Sequence, residues 1–316
     1  MKSSSAKNKK LIYMLVVLVL AVITTIGSSQ GWWGEYSEDP GQTLGDTTKT
    51  SDIVKNTDGF SIHFVDVGQG DCTLVMCDGM TLLIDAGENG HETEVLNYLR
   101  EMNIDKLDYI IATHQHSDHI GGIPEVLEEY EADNIIMPRL TKEQTPTNST
   151  YKAFLTAINK SKESGTKIIS AKPGLVYQLG DASFEILGPV TDDCEDINSM
   201  SAVTKITYGE STFLVTGDAE KDEELEIIEN GADLDCDVLR TGHHGSSTSS
   251  GKEFLNAVTP EICVISCGAD NDYGHPHEKA VNRMLKHTEE IYRTDICGSI
   301  VMTSDGENIE IYYENQ

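Results

Sequence analysis

Thr113-His114-Gln115-His116-Ser117-Asp118-His119-Ile120-Gly121-Gly122 decides the reading of this chain. Three histidines and an aspartate fall within six residues, directly after the apolar stretch Leu107-Asp108-Tyr109-Ile110-Ile111-Ala112. Imidazole nitrogens and a carboxylate at the end of a strand are the donors a borderline-soft divalent ion takes. Four such groups on so short a loop do not all close on one tetrahedral ion. The spacing therefore predicts two neighbouring metal positions, with His114 and His116 serving one and Asp118 and His119 the other.

The same chemistry recurs along the chain. Asp85 ends Leu82-Leu83-Ile84, and Asp218 ends Phe213-Leu214-Val215-Thr216-Gly217. Taken singly, each is an ordinary turn or helix-cap aspartate. With the histidine loop nearby, each becomes a candidate ligand or a carboxylate that orients one. His243 and His244 follow Asp237-Val238-Leu239-Arg240-Thr241-Gly242, and His275 and His277 follow the apolar segment from Ile262 to Cys267. Ser246, Ser247 and Ser249 could line a substrate cleft, although a helix cap is the simpler role. His63, inside a strand pattern, reads as a core or edge residue.

Hydropathy places these groups at strand ends. Alternation over Phe60–Val67, and the Asp78-Gly79 turn between Cys72–Cys77 and Met80–Ile84, predict strands and a hairpin. Helical spacing follows at 92–102, 124–130 and 151–162, with strands at 134–137 and 167–170. The second half predicts strands at 183–187, 203–208, 212–216, 237–241, 262–267, 299–303 and 308–312. Helices are expected at 221–229, 252–258 and 278–287. Hairpins mixed with crossover helices give an α/β (α+β) fold with two sheets face to face and helices outside.

The pattern resembles the metallo-β-lactamase-fold hydrolases and, within them, is similar to the ComEC-like competence and DNA-internalisation branch. The resemblance is carried by Phe64 to Asp71, Leu83 to Gly87, Thr113 to Gly122, Phe213 to Asp218, Gly242 to Ser246 and Asn271 to His277. It spans roughly residues 59 to 313 and implies a four-layer αββα sandwich with a dinuclear site at one sheet edge. Carried over, His114 and His116 resemble ligands of one metal, Asp118 and His119 ligands of the other, and Asp218 the bridging aspartate. His275 resembles the last histidine ligand, with His277 close enough to compete. Asp85 resembles the aspartate that supports the histidine loop, with Asp66 and Asp71 as further supporting groups. The family has another histidine between the first motif and the bridging aspartate, whereas residues 120 to 217 contain none. Asn198-Ser199-Met200-Ser201 stands there instead. Either His244 completes the first metal with His243 left to donate a proton or bind phosphate, or the two exchange roles, or that metal binds weakly.

Bulk properties set limits. The 316 residues include 23 basic and 53 acidic side chains, a formal net charge of −30. Such a surface repels polyanions and argues against broad sequence-independent DNA binding, while bound metals can reverse the field locally. The run Glu220-Lys221-Asp222-Glu223-Glu224 reads as a solvated helix face. Lys2, Lys7, Lys9 and Lys10 precede an apolar run from Leu11 to Ile23, and no charge follows until Glu35. This predicts a membrane anchor or signal segment over residues 1–27, a flexible linker over 28–58, and a hydrolase body over 59–316. Either form of the segment places the body outside the cytoplasm. One short apolar run does not form a translocation pore, which suggests a tethered relative of the competence proteins. The seven cysteines read mainly as core residues, with disulfides undecided.

These features lead to a metal-dependent hydrolase using a metal-activated water, with two divalent ions, zinc or manganese. The resemblance implies a phosphoester substrate, either nucleic acid or a cell-wall polymer, with Asp118 and His243 as catalytic groups. Two alternatives stay open: an acyl hydrolase of lactamase or lactonase type, and a catalytically silent subunit of a DNA-uptake or envelope complex. Nothing in the sequence points to an obligate protein partner.

Overall fold

The structure is a computed structural model and describes residues 59–315 apart from 193 and 195. The expected membrane segment and the linker lie outside the described residues.

The first sheet contains β1 (Phe60–Phe64), β2 (Thr73–Cys77), β3 (Met80–Ile84), β4 (Leu107–Ile111), β5 (Ala132–Met137), β6 (Lys167–Ser170), β14 (Ile300–Ser304) and β15 (Ile309–Tyr313). Their order is β15-β14-β1-β2-β3-β4-β5-β6. The second sheet contains β7 (Leu175–Leu179), β8 (Ala182–Ile186), β9 (Thr204–Tyr208), β10 (Ser211–Val215), β11 (Val238–Arg240), β12 (Ile262–Ile265) and β13 (Glu290–Arg293). Its order is β13-β12-β11-β10-β9-β8-β7. β2 and β3 pair in the hairpin register, with Cys77 opposite Met80. Asp78 and Gly79 between them have φ of 49° and 79°, the two positive values that a two-residue hairpin loop needs.

β3 to β6 run parallel, as do β10 to β13. Parallel neighbours need crossovers, supplied by α1 (Glu92–Glu101), α2 (Ser117–Ile120), α3 (Ile123–Glu129) and α4 (Ser149–Glu163) in the first half. The second half uses α5 (Lys221–Glu229), α6 (Lys252–Val258) and α7 (Glu278–Met284), and α8 (Thr294–Cys297) leads into β14. Strand periodicity divides the core. Ile111, Phe213 and Val215 face the cluster between the sheets. Ile110 and Leu214, one residue out of phase, face the outer helices. The result is the four-layer αββα sandwich.

Two strands escaped the hydropathy reading. β7 is an edge strand that turns Leu175, Tyr177 and Leu179 inward and leaves Val176 58% exposed. β13, also at an edge, buries only Tyr292. The last predicted helix stops at Met284, three residues short of His287. The acidic run is not a solvated face. Lys221 and Asp222 are exposed, but Glu223 and Glu224 are buried and Glu220 is half-buried. Cys72, Cys77, Cys236, Cys263, Cys267 and Cys297 are buried thiols outside any disulfide.

Candidate active site

Because β3 and β4 run parallel in one sheet, and β10 and β11 in the other, their carboxyl ends gather at one edge of the sandwich. Asp85 follows β3, the histidine loop follows β4, Asp218 follows β10, and His243 and His244 follow β11. The sheets are stitched together there. Ala202 N–H donates to the Thr113 carbonyl at 2.9 Å, and Asp218 N–H donates to Ser201 Oγ at 3.0 Å.

Two groups of possible ligands share Asp218, each with its ligand atoms within 4.8 Å of one another: His114, His116 and Asp218, and Asp118, His119, Asp218 and His244; a third such group, Asp71, Asp85 and His119, lies on the far side of the His119 ring. In the first, His114 Nε2 lies 3.1 Å from His116 Nδ1 and 3.9 Å from Asp218 Oδ2. In the second, His244 Nε2 lies 3.2 Å from Asp118 Oδ2 and 3.7 Å from Asp218 Oδ2. His119 Nε2 and Asp218 Oδ1 are 3.2 Å apart, fully buried and without hydrogen bonds. Orphaned polar atoms of this kind are costly. A divalent cation satisfies them, and the imidazole and carboxylate donors suit one. Asp218 belongs to both groups.

The metallo-beta-lactamase superfamily model matches residues 65–269. The chain belongs to this superfamily. Among curated proteins it is 30% identical over 257 residues to ComE operon protein 3 of Bacillus subtilis, covering 76% of this chain and 32% of that protein. It is 29% identical over 258 residues to Recombination protein 2 of Haemophilus influenzae, covering 80% of this chain and 30% of that one. The chain thus spans about a third of the length of these relatives, which support its place in the ComEC-like branch. Among solved structures, CmlA, a diiron beta-hydroxylase from Streptomyces venezuelae, superposes with a TM-score of 0.52 at 12% identity, covering 79% of this chain and 55% of that one. That likeness concerns the fold.

Within this metallo-beta-lactamase sandwich, the structure separates two of the expected ligands. His244 groups with Asp118, His119 and Asp218, not with His114 and His116. His275 stands outside both groups, with its ring centroid 6.0 Å from that of His244 and a buried Nδ1 that makes no hydrogen bond. The cause is backbone conformation. His243 and His244 are both left-handed, with φ of 52° and 53°, so their rings diverge at 72°. His244 turns inward, where Nδ1 meets the Ser266 carbonyl at 2.9 Å and leaves Nε2 to the centre. His243 stays at the rim. Its Nε2 is 3.7 Å from Asp218 Oδ2, and its Nδ1 is 3.1 Å from Glu220 Oε1. In the histidine-free interval, Ser201 Oγ donates to the Asn198 carbonyl and lies 3.4 Å from His114 Nδ1, behind that ring.

The other expected residues support or border the centre. Asp85 accepts from Thr113 N–H at 2.8 Å and Thr113 Oγ1 at 2.6 Å, and it holds His119 Nδ1 at 2.7 Å. This bond presents Nε2 of His119 to the centre. Asp71 pairs with the buried Arg240 and lies 3.6 Å from His119 Nδ1 and 3.7 Å from His244 Nδ1. Asp66 accepts from Gly68 N–H at 3.0 Å and shapes the neighbouring turn without joining either ligand group. Ser247 N–H donates to His277 Nδ1 at 3.0 Å, while Ser246 Oγ bonds Thr248 Oγ1. These contacts brace the loop after His244. His63 is a core histidine, bonded to Tyr98 and Ser61, and its pKa is lowered to about 3 by burial.

Arg240 and Glu220 escaped the sequence reading. Arg240 is 1% exposed, and its Nη1 donates to the Gly217 carbonyl at 2.6 Å, one residue before Asp218. Glu220 also accepts from Thr248 Oγ1 at 2.9 Å. Its hydrogen bond from His243 holds its carboxyl below the usual range. Burial alone would favour neutral groups at the centre. The Asp218 and Asp85 carboxylates nevertheless raise the pKa of His119, and the His119 and His244 charges lower that of Asp218. The edge is built to concentrate positive charge, and a metal ion must compete there with protons.

Proposed function

We propose that this chain is a metal-dependent hydrolase of phosphodiesters. The observation that carries this reading is the Asp218 carboxylate shared by two adjacent ligand groups. His114, His116 and Asp218 would hold one divalent ion, zinc or manganese, and Asp118, His119, Asp218 and His244 the other. Two such ions would supply a water activated near neutral pH and charge stabilisation at the electrophile. The chain's own residues do the rest. Asp85, and the Ser266 carbonyl bonded to His244, set the tautomers of the inward imidazoles. His243 stands at the rim with Glu220 behind it, placed to donate a proton from Nε2 to a leaving oxygen. The preference for phosphoesters over acyl bonds is supported by a stretch of 62 residues that is 40% identical to Exodeoxyribonuclease YycJ of Bacillus anthracis. Action outside the cytoplasm, with attachment to a membrane, is supported by the basic and apolar residues between Lys2 and Ile23.

The test is metal counting on the purified full chain, followed by hydrolysis assays with bis-p-nitrophenyl phosphate and nitrocefin. Two equivalents of metal and EDTA-sensitive release of p-nitrophenol are expected. Turnover of nitrocefin without the phosphodiester would overturn the reading. A chain retaining no metal would point to the silent envelope subunit.

A further inference from the structure

Tyr273 sits in the loop between β12 and α7, two residues before His275, and its side chain is 65% exposed. A single exposed tyrosine is ordinary on a protein surface. The position of this one is not. Its ring lies nearly parallel to that of His275, with centroids 5.6 Å apart and planes at 17°. His275 lies in turn against His244, at 6.0 Å and 29°. His244 belongs to the group with Asp118, His119 and Asp218. The row of rings therefore starts at the centre and ends in solvent at Tyr273. The Asp118 carboxylate, ahead of burial, holds the Tyr273 phenol above its usual range, so the hydroxyl stands in the field of the same group.

The loop is braced to hold that ring. Asn271 Oδ1 accepts from the N–H groups of Tyr273 and His275 at 3.2 and 2.9 Å. Its Nδ2 donates to the Gly268 and His275 carbonyls at 2.9 and 2.7 Å. Gly268 N–H donates to Gln69 Oε1 at 3.1 Å, which ties the loop to the turn after β1. A ring held in this way offers a ligand its open surface at small entropic cost. Charge decides what can lie there. Residues 266–277 include Asp270 and Asp272 and no lysine or arginine, and Glu88 also acts on the phenol. A further phosphate is repelled from such a surface. An ammonium group is drawn to it, but quaternary ammonium ligands are held by cages of several rings, and Tyr273 presents one. A planar neutral group extends the row.

We propose that Tyr273 is a stacking platform for a nucleobase of the substrate, set beside the second ligand group. A phosphodiester with its phosphorus at the shared Asp218 would lay one flanking base on the Tyr273 ring. The ring does this work and the hydroxyl is dispensable. Base identity would matter little, because every base has a π face. The proposal rests on the hydrolase reading for the place of the phosphorus, but base binding itself can be measured without turnover.

The experiment uses the metal-loaded full chain with its Tyr273→Phe variant, which keeps the ring, and its Tyr273→Leu variant, which removes it. The substrates are thymidine 5′-(p-nitrophenyl phosphate) and its abasic analogue, which lacks only the thymine, so that the shared leaving group cancels. The preference for the thymidine ester, as a ratio of kcat/KM values, is expected to fall about tenfold in Tyr273→Leu, near the lower end for one stacked base, and to persist in Tyr273→Phe. Binding is read separately with 2-aminopurine deoxyriboside 5′-monophosphate, whose fluorescence is quenched by stacking. Quenching in the parent chain and in Tyr273→Phe, lost in Tyr273→Leu, supports the proposal. An unchanged ratio in an active Tyr273→Leu, or equal losses in the two variants, overturns it. A Tyr273-dependent preference for p-nitrophenylphosphorylcholine, with none for the thymidine ester, also overturns it and points to a cationic unit. Should neither thymidine ester nor analogue be hydrolysed while quenching depends on the ring, the hydrolase reading falls and the platform stands.

Discussion

The loops 113–122 and 242–251 both bring histidines to the site, and they are held by different means. Apart from the Asp85 carboxylate on Thr113 and His119, the first is held by backbone. His119 carbonyl accepts from Ala86 N–H, Asp118 carbonyl from Asp71 N–H, and Gly87 carbonyl from Gly122 N–H. Its glycines allow that approach, because a Cβ on Gly122 would lie 2.2 Å from the Ala86 carbonyl oxygen. The second contains two consecutive left-handed histidines and is held by charged side chains. Glu224 accepts from Ser250 and Gly251 N–H groups at 2.5 and 2.8 Å, and Arg283 donates to the carbonyls of Ser247, Ser249 and Ser250. A loop held by packing is sensitive to volume. A loop held by buried charge is sensitive to pairing and to pH.

The largest effect should come from the residue the two loops share. Asp218→Asn removes a carboxylate from both ligand groups. Metal content should fall sharply at both positions, and kcat/KM on a phosphodiester by about 10³-fold or more. Loss of one metal equivalent with the other retained would show that Asp218 does not bridge. Next comes the buried charge at the end of β11, just before the second loop. Arg240→Met leaves Asp71 unpaired in the interior, which should cost about 3–5 kcal/mol in denaturant unfolding. Asp71→Leu in the same chain should recover much of that loss, and a single-variant cost below about 1 kcal/mol would contradict the pairing.

The pH prediction separates the loops further. Burial raises Glu224 to about 7, against the pull of the Gly251 and Ser250 N–H groups. A carboxyl raised in the folded state binds more protons there than in the unfolded chain. Its contribution is therefore complete below the unfolded value of 4.5 and is lost as pH climbs to about 7. Relative to Glu224→Gln, the parent chain should lose a few kcal/mol, roughly 1.4 kcal/mol per pH unit, across that window. A flat difference would mean that Glu224 is ionised throughout. The first loop should instead respond to volume: Gly122→Ala is expected to cost about 1–3 kcal/mol at every pH.

This contrast also explains what the sequence made legible. The first loop is contiguous, so His114, His116, Asp118 and His119 stand out by spacing alone, and Asp85 and Asp218 stand out as strand ends beside glycine. The four-layer sandwich follows from alternation on well-patterned strands, and only the polar or half-exposed edges β7 and β13 escape. The second loop's logic is conformational. No spacing rule says that two adjacent histidines will both turn left-handed, so spacing leaves the roles of His243 and His244 open, and the family likeness alone gives His275 a ligand's place. Arg240 ends a buried three-residue strand, where an arginine ordinarily reaches out to solvent. Glu220, Glu223 and Glu224 sit in a run whose composition reads as surface. Their roles depend on which face of α5 turns inward, and so many charges mask that face.

The smallest expected effect is the most specific to the second loop. His243 is left-handed and at the rim, so nothing like the first loop's backbone network fixes its ring. Glu220 Oε1, 3.1 Å from His243 Nδ1, is the partner that orients it, and Thr248 Oγ1 holds that same oxygen at 2.9 Å. A carboxylate there also stabilises the imidazolium, the form that can protonate a leaving group. Glu220→Gln keeps the shape and removes the charge. If His243 donates the proton, kcat on a poor leaving group such as methyl phosphate diesters should fall about tenfold, with KM little changed. On p-nitrophenyl esters, whose leaving group needs no proton, the loss should largely vanish. Equal losses on both leaving groups would place Glu220 among the groups that merely hold the loop, and His243 would lose its assignment as the acid.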